Sequence, residues 1–436
     1  MDERFHKFRL QNGITLLVVP MKGVASVTVL VMVRTGSRDE PIKLAGISHF
    51  LEHMVFKGTR KYPNAHAITS VIDSIGGEFN AFTSKEFTGF YIKLASKHLE
   101  RGVDVLSEML TRPRLSAADI EREKGVIVEE INMYEDLPPR KVVNVYERLI
   151  YGDTSLGRET IGSRETVKAL QRKDFAAYLR ERYTTGRMVI GVVGGVTNEG
   201  LGVRKIRALI ETSFSTLQEG SDGWGKPLRI AQKEPAVSLH HKETGQAHFV
   251  LGTRGFARAH KDRYVAAVLV TLLGGNMSSR LFTEIREKRG LAYYINADMD
   301  TFFDHGSVNV SAGVVLAKID EAIRVILEQF GKVRKDSGAG RVTAEEVSQA
   351  KEYLKGRFIL ELEDSQEVAD LFVRRLLLER KILTPKALLA KIEAVKHEDV
   401  VRVAREIFVE KNLNLAVVGP YSQKKDGQRF MKLLTI

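Results

Sequence analysis

A stretch without apolar periodicity, Gln218-Glu-Gly-Ser-Asp-Gly-Trp-Gly-Lys-Pro227, divides this 436-residue chain into two parts of nearly equal length. Glycine, proline and polar residues at that density read as a linker. The chain is too long for one compact core, so the break prompts a search for an internal repeat. The first part opens with a hairpin whose turn is Asn12-Gly13. A strand over 27–33, helices over 45–56 and from 65, and strands over 78–82 and 87–94 follow. A helix over 97–110 and a long helix from 116, stopped by Pro138-Pro139, come next, and a strand over 188–193 closes the part. The second part repeats the order, with a strand over 249–252, helices over 263–273 and 318–330, a long helix opened by Thr343, and a closing strand over 413–418. Asn296-Ala297 stands where Asn80-Ala81 stands in the first part. Strand meanders without strict β-helix-β alternation predict an α+β fold: two homologous α+β domains, each a mostly antiparallel sheet with helices on one face. The expected division is 1–217, a linker over 218–234, and 235–436.

Cysteine is absent, which excludes disulfide scaffolds, thiolate nucleophiles and Cys-type zinc sites. Any metal must therefore use His and carboxylate. The longest uncharged apolar runs, 25–33 and 264–273, reach about ten residues, against the roughly twenty a membrane helix needs. The opening Met1-Asp2-Glu3-Arg4 is charged and no apolar signal segment follows, so the expected location is cytoplasmic, with no membrane partner. The net charge of +12 is spread along the chain and interleaved with acids, as in Arg286-Glu-Lys-Arg289, rather than gathered into a stripe. That pattern argues for a solvated surface and against nucleic acid as a partner.

Two of the eleven histidines stand four apart, in His49-Phe-Leu-Glu52-His53, within a helical pattern that includes Ile47, Phe50, Leu51 and Met54. Four residues are slightly more than one turn, so both imidazoles project from one face at a separation one metal can bridge. Glu52 lies beside the second histidine, within reach of a metal-bound water. A catalytic zinc takes three protein ligands and keeps a position for water. The long helix that contains Glu121, Glu123, Glu129 and Glu130 is the source of a third. Val126, Ile127, Ile131 and Met133 make part of this helix apolar, so some of its acids lie at the core boundary. Glu123 and Glu130, seven apart, share a face, whereas Glu121 and Glu129 fit an exposed face.

The segment His49-Phe-Leu-Glu-His-Met-Val-Phe-Lys-Gly-Thr59, with Val126-Ile-Val-Glu-Glu-Ile131 downstream, resembles the insulinase/pitrilysin family of zinc peptidases. It is most similar to the short-chain branch that includes the mitochondrial processing peptidase and its bacterial relatives. The resemblance implies one zinc ion per chain on His49, His53 and Glu130, Glu52 as general base, and Glu123 as an acid supporting the site. Gly76-Gly-Glu-Phe-Asn80-Ala-Phe-Thr83 is similar to the family segment that pairs with bound peptide, which implies a substrate role for Asn80, Ala81, Phe82 and Thr83. Leu273-Gly-Gly-Asn-Met-Ser-Ser-Arg-Leu-Phe282, followed by Arg286 and Tyr293, resembles the family's Arg and Tyr pair. Gly290 would end the helix that carries Arg286, and both side chains would donate to a substrate carbonyl and an oxyanion.

The second part has no histidine between His260 and His305, and aligning the long helices puts Arg357 where Glu130 stands. It is not expected to build a second zinc site. The function that follows is a zinc endopeptidase acting on peptides or unfolded segments inside a closed chamber. Family chambers use four homologous domains, so two chains are implied. Both site sets lie on one chain, which favours a homodimer, with a heterodimer of related subunits as the other arrangement. The competing function is a non-catalytic assembly subunit or a zinc-binding partner of such a peptidase.

Overall fold

The structure is a computed structural model and describes residues 5–196, 202–221 and 223–436. The opening Met1 to Arg4, and Asp222 within the linker, lie outside the described residues. Eleven strands form two sheets. The first sheet contains β1 (His6–Arg9), β2 (Thr15–Pro20), β3 (Ser26–Val33), β4 (Glu78–Thr83), β5 (Thr88–Ala95) and β6 (Met188–Gly194). The second contains β7 (Ala236–His241), β8 (Gln246–Gly255), β9 (Ala292–Thr301), β10 (Gly306–Val315) and β11 (Asn414–Gly419). Their orders are β1-β2-β6-β3-β5-β4 and β7-β11-β8-β10-β9. Without β1 the two orders are the same plan, and each has one parallel pair, β2 with β6 and β7 with β11. The expected α+β duplication is what the topology shows. Both sheets are mixed and mostly antiparallel.

Strand β3 reads Ser-Val-Thr-Val-Leu-Val-Met-Val and is buried over seven consecutive residues. A continuous apolar run of this kind fits a central strand covered on both faces, whereas β1 and β4, at the two edges, alternate. The antiparallel register pairs Val29 with Ile92 of β5 and with Val192 of β6.

The first five α-helices are α1 (Ile47–Val55), α2 (Ala65–Asp73), α3 (Leu99–Thr111), α4 (Ala117–Asp136) and α5 (Pro138–Tyr151), of which α1 and α4 carry the site. Leu137 ends α4, and Pro138 starts α5, where a missing N–H costs nothing. Helix α3 packs on β3 and β5, with Gly102 against Ile92 and Leu94. The opposite face of that sheet is covered by a helix from the other half of the sequence, Ser365–Glu379. Ser365 hydroxyl meets Thr28 hydroxyl at 2.8 Å, and Lys93 pairs with Asp364 at 2.6 Å. Gly191 of β6 allows the approach, since a Cβ there would lie 2.4 Å from a Val373 methyl.

The second sheet shows the reverse exchange. Its own helices cover one face, and α5 from the first half covers the other. Val142, Tyr146, Ile150 and Tyr151 of α5 pack there with Val250, Ala416 and Val418. Full burial of such side chains contributes about 1.5–3 kcal/mol each. Gly252 plays the part of Gly191, since a Cβ there would meet the Tyr146 hydroxyl at 2.5 Å. The chain accordingly forms two compact units. Unit 1 takes Met1–Ile131, Arg158–Gly225 and Ile359–Pro385, and unit 2 takes Asn132–Gly157, Lys226–Phe358 and Lys386–Ile436. Among the described residues no helix is long and apolar enough to cross a membrane.

Candidate metal centre

Helix α1 buries Ile47, Ser48, Phe50, Leu51, Met54 and Val55, leaving His49, Glu52 and His53 half-buried on one face. Its start is anchored by a carboxylate. Glu40 accepts from the Gly46 amide at 2.7 Å and from the Ser48 amide at 2.8 Å. Burial pushes the Glu40 carboxyl up to about 7, against the opposing effect of the bonds from Ser48 and Gly46. Gly46 has φ 94°, and a Cβ there would lie 2.5 Å from the Ile161 carbonyl, so the tight entry requires glycine. The Ser48 hydroxyl meets the Tyr178 hydroxyl at 2.7 Å, which in turn meets Thr35 at 2.9 Å.

Helix α4 turns Ile120, Glu123, Ile127 and Ile131 inward. Val126 and Met133, expected to help make its apolar face, are instead exposed at 49% and 50%. They are spaced seven apart on the side that carries Glu130, about a quarter turn from the Ile127 face. Glu121 and Glu129 are exposed, as their positions suggested.

The two helices bring three ligand atoms together. His49 Nε2 lies 3.1 Å from Glu130 Oε2, and His53 Nε2 lies 3.6 Å from the same oxygen. The ligand atoms of His49, His53 and Glu130 all fall within 4.8 Å of one another, and among the described residues this is the one such cluster. Two imidazoles and a carboxylate fit the donor set of a catalytic zinc. Glu123 supports the cluster from behind, with Oε1 at 2.9 Å from His53 Nδ1 and Oε2 at 2.6 Å from Lys57 Nζ. Burial raises the Glu123 carboxyl, but the His53 bond and the Lys57 ammonium outweigh it and hold the group below the ordinary value. A carboxylate only accepts, so His53 Nδ1 donates to Glu123, which turns the ring's Nε2 toward Glu130.

Glu52 is held by the neighbouring sheet. The Thr83 hydroxyl donates to Glu52 Oε2 at 2.5 Å. Thr83 ends β4, the edge strand, whose outer side has no strand partner among the described residues. Asn80 is exposed on that strand, with Ala81 and Phe82 half-buried.

Arg286 and Tyr293 belong to unit 2. Arg286 sits in the last turn of a π-helical segment, Phe282–Glu287, where an ordinary helix was expected, and its guanidinium lies 4.9 Å from the centre of the Phe282 ring. Gly290, at φ 59°, donates its amide to the Arg286 carbonyl and lets the chain leave the helix. Tyr293 is the second residue of β9 and is 78% exposed, so it is no core residue.

Three groups were not legible as site components: Glu40, Lys57, and Thr83 as a partner of Glu52. Lys57 stands four residues after His53, a spacing that marks a shared helix face. Glu40 and Thr83 act across elements and leave no periodic trace.

Residues 17–164 match the family model described as Insulinase (Peptidase family M16), and residues 169–354 match Peptidase M16 inactive domain. An uncharacterized zinc protease of Mycobacterium leprae is 35% identical over 429 residues, covering 98% of this chain and 94% of the relative. One of Streptomyces coelicolor is 34% identical over 422 residues, covering 95% and 90%. A protease from Helicobacter pylori, known from a crystal structure, shares the fold with a TM-score of 0.87 at 24% identity, covering 96% of this chain and 100% of that one. A chain of Complex III2 from Candida albicans shares it with a TM-score of 0.83 at 18% identity, covering 99% and 100%. Fold, matched segments and near full-length identity to zinc proteases agree, and the chain belongs to the insulinase family of peptidases, family M16.

Proposed function

We propose that the protein is a zinc-dependent endopeptidase of the short-chain branch that resembles the mitochondrial processing peptidase. The observation that carries this reading is the convergence of His49 Nε2, His53 Nε2 and Glu130 Oε2 beside a glutamate fixed by Thr83. A zinc ion held there would act as a Lewis acid on the scissile carbonyl and lower the pKa of a bound water. Glu52 takes the proton of that attacking water and later delivers it to the leaving amine. The Thr83 hydroxyl on Oε2 fixes the carboxylate, and each oxygen keeps a lone pair for the proton. Edge strand β4 has no strand partner on its outer side among the described residues, where the Ala81 amide is held by the Asn80 side chain at 2.8 Å, and an extended peptide adding there would take the place of that side chain. The family resemblance adds Arg286 and Tyr293 as donors to a substrate carbonyl and to the oxyanion, and both side chains are exposed. It also adds a chamber built by two chains, a homodimer in the first instance.

The test is cleavage of a mixed library of unfolded peptides by purified protein, with and without a chelator, beside Glu52→Gln, with zinc assayed in each. Chelator-sensitive cleavage that disappears in a zinc-loaded Glu52→Gln protein is the expected result. The second reading is a non-catalytic assembly subunit or a zinc-binding partner of a related peptidase; a chain of Complex III2 has the same fold. Zinc at one per chain without cleavage would favour that reading, and absence of zinc would remove the site assignment.

A further inference from the structure

Lys57 follows the metal helix by two residues in a tightened final turn, its amide donating to the Met54 carbonyl at 3.1 Å. Its side chain turns back to Glu123, at 2.6 Å. The Glu123 side chain is 5% exposed, and its two oxygens are divided between two partners, Lys57 on one and His53 Nδ1 on the other. We propose that Lys57 is a positioning residue of the metal site: it fixes the Glu123 carboxylate so that the carboxylate fixes the tautomer and ring orientation of His53. This inference rests on the zinc reading above and deepens it.

The geometry separates this role from ordinary stabilisation. A buried carboxylate with one oxygen unpaired turns toward water or toward another donor, and the bond to His53 is then lost. With that bond gone, the ring is free to rotate and to carry its proton on Nε2, the atom needed by the metal. Lys57 keeps 31% of its side chain exposed but Glu123 only 5%, so removing the lysine leaves a buried carboxylate and costs stability as well. The role at the metal is therefore read from zinc affinity and from the His53 proton, which a loss of stability alone does not move. Arginine, with the same charge and a comparable reach, should replace it in part.

The experiment uses the full-length protein and measures the zinc dissociation constant by competition with a chromophoric chelator. Lys57→Met is expected to weaken zinc binding about 10- to 100-fold, the range for loss of a group that orients a ligand. Lys57→Arg is expected to stay within about threefold of wild type; thermal unfolding of the metal-free Met variant is measured beside it, and the affinity is read only below its transition. In Glu123→Gln protein, adding Lys57→Met should produce no further loss of zinc affinity, because the two act in one chain of contacts. Nitrogen-15 spectra of the metal-free protein should show the His53 proton on Nδ1 in wild type and lose that single assignment in the Met variant. Should Lys57→Met fail to fold, Lys57→Gln takes its place in the same titration. Zinc affinity within twofold of wild type in the folded Met variant overturns the role of Lys57 alone. A wild-type protein that takes up no zinc overturns both this inference and the metal site beneath it.

Discussion

Helix α1 and the helix Arg263–Gly274 hold matching places in the two units, each packed against the edge strand of its sheet. The second is apolar nearly all round and buried from Val268 to Gly274. The first buries six of its nine residues and keeps a polar strip of His49, Glu52 and His53. A like contrast separates Glu130 on α4 from Arg357 on Ala344–Glu361. The scaffold asks for an apolar helix at this place, and the copy in unit 2 supplies one. The departure in unit 1 is what the fold alone does not require, and a local departure of this kind marks chemistry.

That contrast can be broken most completely at the ligands. Replacing His53 or Glu130 with alanine should abolish stoichiometric zinc binding, read by metal analysis after dialysis, since unit 2 offers no substitute cluster. Glu52→Gln is expected to keep one zinc per chain and lower kcat by about 10²- to 10⁴-fold, the range for a general base. Retained turnover in that variant would reassign the base.

Stability offers a third handle. The Glu40 carboxyl stands at about 7 in the fold against 4.5 for its ordinary value. The folded state therefore binds the proton more tightly, and this contribution is full below about 4.5 and is lost as pH rises through 7. Its size is roughly 3 kcal/mol. Urea unfolding at pH 5 and pH 8 should show that decline in wild type and a flatter dependence in Glu40→Gln. Thr83→Val should reduce kcat about tenfold, with zinc content unchanged and Thr83→Ser recovering most of it, because only the hydroxyl holds Glu52. The smallest effect expected is none: Arg357→Glu alone should leave zinc at one per chain, since the neighbouring helix has no histidine pair.

Much of the architecture was legible because its signals are local. The β-branched runs of β3 and β6, the Asn12-Gly13 turn and the Pro138-Pro139 stop each act within a few residues. The exchange of helices was not legible. The spacing of Val142, Tyr146 and Ile150 says that α5 buries a face, but it is silent about which sheet receives it. At the site, the histidine pair follows from helical spacing alone. Glu123 and Glu130 share that spacing, and the family resemblance was needed to order them. In the structure Glu130 faces the imidazole nitrogens, and Glu123 lies behind His53.

The exchanged helices bear on how the two halves of this chain can be parted. A single cut in the segment around Gly223 to Gly225 would yield two fragments, each lacking one helix over its own sheet and carrying the helix that closes the other's. Neither fragment alone can complete its core, so a nicked protein should remain associated, and fragments made separately should regain structure only when mixed. The duplication has become interdependent: one half cannot be deleted, doubled or transferred to another protein as a free-standing module.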